Sequence, residues 1–86
     1  CFRDWAPACA RIDWPTEQAR LDLAAEGAFR HVHLFVPETR DVFCVEPVSH
    51  LPDAVNRPSL AASAAMHVLA PQETLSAALK LSMSTL

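Results

Sequence analysis

Near the end of the chain, Leu75, Ala77, Leu79, Leu81 and Met83 alternate with Ser76, Ala78, Lys80, Ser82 and Ser84. A period of two puts each set on its own side of an extended backbone, so this segment predicts a strand with one buried face. His31 to Val36 is β-branched and aromatic enough for another strand, closed by Pro37. A turn on Glu38, Thr39, Arg40 and Asp41 leads straight into Val42 to Glu46, and the two runs predict a hairpin. Arg11 to Trp14 predicts a shorter strand ended by Pro15. Ala19, Leu21, Leu23 and Ala25 also alternate, although their alanine-rich surroundings suit a helix as well. Leu60 to Leu69 carries the same ambiguity, with Met66 to Leu69 running into Pro71 as a short strand would.

The 7 prolines are spread along the chain, several just after apolar runs. They favour short strands cut by turns over long helices, and the fold expected is all-β. No repeat, low-complexity stretch or linker divides residues 1–86, which read as one piece of a single domain. The chain begins at Cys1 in what looks like the middle of a structure, so a fragment of a longer domain is expected. A domain this small buries only about 60% of its unfolded surface. Its apolar strand faces would then need the upstream part of the same domain to cover them.

A hydrophobic share of 51% and a net charge of -3 are those of an ordinary globular protein. The few Lys and Arg residues are scattered, without the clustered face that binding to a phosphate backbone requires, so nucleic acid is not an expected partner. No apolar run approaches the roughly 20 residues that span a bilayer, and no signal-peptide pattern is present. Membrane association is not expected, and a cytoplasmic location is. Cys1, Cys9 and Cys44 are odd in number and lack CxxC spacing, which points to free, mostly buried thiols. Cys44 shares a strand face with Glu46, where packing is its commoner role.

Glu46 is the residue with the strongest chemical claim. It follows the apolar run Phe43-Cys44-Val45 and precedes Pro47, which cannot donate a ladder hydrogen bond. Pairing is expected to end there or to continue only on an edge, which sets Glu46 at a strand end. Apolar neighbours can desolvate such a carboxylate and suit it to accept a proton. The plainer reading is a solvent-facing glutamate, or one paired with Arg40 or Arg57. Spacing alone favours that reading.

The residues around Glu46 carry a resemblance. Phe43 to Pro58, F-C-V-E-P-V-S-H-L-P-D-A-V-N-R-P, resembles the signature near the carboxyl end of the aldose 1-epimerase (galactose mutarotase) family. His33-Leu34-Phe35-Val36-Pro37 resembles that family's preceding strand. Val68 to Ser76 resembles its closing turn and last strand, L-x-P-G-E-x-L, with Gln72 where the family usually has glycine. The resemblance covers nearly the whole chain.

It implies the C-terminal part of a large β-sandwich, the supersandwich, and an enzyme that interconverts the α and β anomers of aldoses. Glu46 would be the general base, with no metal and no redox cofactor. The family's acid histidine, a second histidine and an arginine lie upstream of the matched region, and a substrate-binding aspartate would fall just before residue 1. Phe35 falls where the family tends to carry an aromatic in the site, so it would bind sugar or pack in the core. His50, in the loop after Glu46, would line the sugar pocket.

The remaining polar residues have plainer expectations. His31 and His33 share a strand face, but two histidines without a third ligand are a weak metal site, and structural or solvent-facing roles are expected. His67 is expected to be ordinary. Asp53 and Asn56 are expected to fix the loop. The alternatives to an epimerase of free aldoses are a hexose 6-phosphate mutarotase, a non-catalytic carbohydrate-binding domain on the same scaffold, and a structural fragment without activity. Recognition of a phosphate would need basic residues grouped near the site, and the sequence shows no such group.

Overall fold

The computed structural model describes residues 1–62 and 64–86. The fold is all-β, as the alternation and the prolines predict. Among the described residues, five strands form two antiparallel sheets: β1 (Cys9–Trp14), β2 (Ala19–Gly27) and β5 (Ala77–Thr85) in the order β1-β2-β5, and β3 (His31–Phe35) with β4 (Cys44–Val48). A short 3-10 turn, Ala54–Asn56, lies in the loop after β4.

The three-stranded sheet is built on two-residue alternation. Ile12 pairs with Leu21, and Leu21 with Met83, so the apolar positions of all three strands share one side. The opposite side is polar, and there Arg11 faces Asp22 and Arg20 faces Asp13. This settles the ambiguity of Ala19 to Ala25 in favour of a strand: the alternation lets β2 serve as the central strand between two partners, which outweighs the helix propensity of its alanines.

The last strand begins two residues later than the alternation predicts, at Ala77, and a tight turn at Pro71 and Gln72 precedes it. The Glu73 N–H donates to the Ala70 carbonyl at 3.0 Å, and Gln72 adopts φ 68. Proline at the second position and a left-handed third residue are the marks of a type II turn, whose third position favours glycine. Gly27, the chain's only glycine, closes the other end of the β2–β5 ladder opposite Ala77.

Three expectations are corrected. The apolar side of β5 is not buried: Leu81 is 57% exposed and Met83 66%. Leu79 and Leu81 line an apolar depression of about 430 Å³ with Phe43 and Val45, but no described residue closes it. Met66 to Leu69 forms no strand, because that segment is exposed and finds no ladder partner; Ser63, within the Leu60 to Leu69 run, lies outside the described residues. Cys1 and Cys9 are exposed thiols rather than buried ones, since Cys9 falls on the polar side of β1, while Cys44 is half-buried.

The two sheets meet at Trp14 and Phe43, whose ring centroids are 6.3 Å apart. The radius of gyration, 15.3 Å, exceeds the about 12 Å of a compact chain of this length. Burial is instead concentrated around the hairpin and its following loop, at Val32, Leu51, Ala54 and Ala64. His31 is fully buried there, and its Nδ1 accepts the Asp4 N–H at 3.0 Å. That bond helps tie the N-terminal segment to β3, beside the Phe2–Val32 bridge.

Candidate functional site

Hairpin register decides what stands next to Glu46. In the β3–β4 ladder His33 pairs with Glu46, Phe35 with Cys44 and His31 with Val48. Residues directly opposite in an antiparallel pair project to the same side. His31, His33, Phe35, Cys44, Glu46 and Val48 therefore share one side of the hairpin.

Glu46 does not end a strand. It is the middle residue of β4, and the ladder continues through the Val32–Pro47 pair. The reason lies in the backbone of Val32, whose N–H and C=O both bond to Phe2 on the far side of β3. Val32 and Pro47 thus form a pair whose backbone groups point away from each other. Pro47 turns its nitrogen toward the free edge of β4, where a missing N–H removes no ladder bond.

The Glu46 side chain is 52% exposed, so the expected desolvation is absent among the described residues. It does not pair with Arg40 or Arg57. Its neighbour is His33, with Nε2 4.0 Å from Oε2, within reach of an ion pair but beyond a hydrogen bond. The other His33 nitrogen, Nδ1, is buried and has no hydrogen-bond partner among the described residues.

Glu46, His33 and His50 line one open depression of about 480 Å³, together with Phe29, Ser49 and Asp53. That volume lies within the about 300–1,000 Å³ of small-ligand sites. The Ser49 hydroxyl lies 2.9 Å from His50 Nδ1, which fixes that ring against the loop. Phe35 is on the same side of the hairpin but is not among the residues lining the depression; it stands 52% exposed. Asp53 adopts φ 59, and its Oδ1 accepts from Asn56 Nδ2 at 2.8 Å, so the pair braces the loop that forms one wall. His67 is half exposed and lies 3.2 Å from Glu73.

A second depression of about 330 Å³ adjoins the first at Ser49 and is also lined by Arg30, His67 and Ser76. Arg30 makes no ion pair among the described residues. The fold therefore brings Arg30 and His67, distant in the sequence, to one depression. Among the described residues no group of three or more His, Cys, Asp and Glu side chains is arranged to hold a metal ion, and no helix is long and apolar enough to cross a membrane.

Sequence reasoning missed His33 as a member of this site. The signal was present in the hairpin itself. A turn centred between Thr39 and Arg40 pairs every residue with the one equidistant from that centre, and His33 and Glu46 satisfy that condition. Compared with known protein families, curated proteins and solved structures, the chain matches none.

Proposed function

We propose that the chain is the C-terminal part of an aldose 1-epimerase domain and that Glu46 is its general base. The observation that carries this reading is the position of Glu46: a solvent-reachable carboxylate on a paired strand, in a depression shared with His33 and His50. A rigid ladder holds the carboxylate while the loop from Ser49 to Asp53 shapes the space around it. The resemblance around Glu46 supplies the substrate class, a free aldose.

In this reaction the Glu46 carboxylate takes the proton of the C1 hydroxyl. The released O–H electron pair forms the C1 carbonyl as the bond from C1 to the ring oxygen breaks, and the ring oxygen takes a proton from the acid histidine that the resemblance puts upstream. Rotation about the C1–C2 bond and closure from the other face return both protons and give the other anomer. Acid–base pairing of this kind contributes about 10² to 10⁴ in rate.

The uncovered apolar side of β5 and the extended shape of the chain fit a partial sandwich, whose remaining strands would lie over Leu81 and Met83. Arg30, which makes no ion pair among the described residues, favours a second reading, a phosphorylated sugar whose phosphate sits in the neighbouring depression with Ser49 and Ser76. Exchange NMR of the full-length protein with α-glucose, α-galactose and glucose 6-phosphate tests both. Accelerated exchange of the free sugars supports the first, acceleration of the phosphate alone supports the second, and no acceleration of any of the three contradicts both.

A further inference from the structure

We propose that His33 holds the same substrate hydroxyl as Glu46, donating a hydrogen bond from Nε2 to the oxygen whose proton Glu46 removes; this rests on Glu46 being the base. The two side chains are opposite each other in the β3–β4 ladder, so the strand register, and not a flexible loop, sets their separation. That separation, 4.0 Å between Nε2 and Oε2, is too long for a bond between them. It suits an atom held by both. One oxygen at about 2.8 Å from each subtends about 90° between them, an acceptable angle at a hydroxyl that donates to one group and accepts from the other.

The buried nitrogen fixes the direction of the bond. In the neutral ring, a proton on Nδ1 would leave a buried N–H without an acceptor, which is costly. The single imidazole proton therefore resides on Nε2, the nitrogen nearest Glu46. In that form His33 can donate to the hydroxyl oxygen but cannot compete with Glu46 for the hydroxyl proton through Nε2. As the O–H bond breaks, negative charge gathers on the oxygen and the His33 bond strengthens, so its contribution is greatest in the transition state. His33 keeps its own proton throughout.

Three measurements on the full-length protein test this. In His33→Leu, kcat for anomer interconversion falls by about 10- to 100-fold while KM changes less than about threefold, and His33→Gln, which keeps a donor of similar reach, recovers part of the loss. Nitrogen-15 NMR of the wild-type protein finds His33 protonated at Nε2. An unchanged kcat in His33→Leu, no recovery in His33→Gln, or a proton found on Nδ1 overturns the inference. Loss of activity in Glu46→Gln alongside full activity in His33→Leu would reject the role of His33 and leave the base intact, whereas full activity in Glu46→Gln would reject the base itself. Because the NMR measurement uses the unaltered protein, a His33→Leu variant that fails to fold does not protect the inference.

Discussion

The Arg20 guanidinium grips the Asp13 carboxylate with two hydrogen bonds across the β1–β2 ladder, Nε to Oδ1 at 2.7 Å and Nη2 to Oδ2 at 3.1 Å. This fork geometry is stronger and more directional than a single contact. The hydrogen bond from Arg20 is the main cause holding the Asp13 carboxyl below its ordinary value of 3.8, and the charges of Arg20 and Arg11 act in the same direction. A carboxyl lowered by folding stabilises the native state above its unfolded value, and that contribution disappears as the pH falls through the folded value.

The pair therefore makes stability acid-sensitive. The difference in urea midpoint between wild type and Asp13→Asn is expected to be constant above about pH 5 and to shrink below about pH 4. The pair lies at the surface, so added salt should narrow the difference as well. A difference equal at pH 3 and pH 7 would rule out Asp13 as its source.

Gly27 is needed for two reasons that act together. Its φ is 71, and a Cβ there would lie 2.5 Å from the Ser76 carbonyl oxygen. That oxygen already accepts the Ala28 N–H at 3.0 Å, so it cannot retreat without loosening the start of β5. Gly27→Ala is expected to lower unfolding stability by about 1–3 kcal/mol in chemical denaturation. A neutral result would mean that the β2–β5 ladder does not hold its register at this end.

Gln72 is the converse case, a non-glycine residue in a glycine position, with φ 68. Left-handed backbone costs an ordinary residue about 1–2 kcal/mol, partly offset because glycine loses more freedom on folding. Gln72→Gly should thus raise stability by up to about 1 kcal/mol, and Gln72→Val should lower it, β-branching being least tolerant of this region. Denaturation curves that rank glycine below glutamine would contradict the turn assignment.

Much of the fold was legible because it follows from local pattern. Alternation marks β5 and leaves β2 between strand and helix, Pro15 ends the short run of β1, and the turn on Glu38 to Asp41 marks the hairpin. What was not legible depends on contacts distant in sequence. Glu46 reads as a strand end beside Pro47 until Phe2 is seen to bond to Val32, which turns Pro47 toward an empty edge. Met66 to Leu69 has the composition of a strand but no ladder to join. The alternation of β5 correctly divides its apolar side from its polar one, yet what covers the apolar side is decided by elements that local pattern does not contain. Arg30, Ser49, His67 and Ser76 converge only because β5 returns beside the end of β2.

The central claim is that Glu46 removes the proton that opens the sugar ring. Replacing it with glutamine keeps the size of the side chain and its hydrogen bonding but removes its basicity, and on a half-exposed strand position the change leaves the fold intact. The direct measurement is the rate of α-glucose or α-galactose mutarotation by the full-length protein, followed by polarimetry, for wild type and Glu46→Gln. The account predicts that the variant loses most of the acceleration, by about 10²-fold or more, while sugar binding remains detectable. A Glu46→Gln protein as fast as wild type would contradict it.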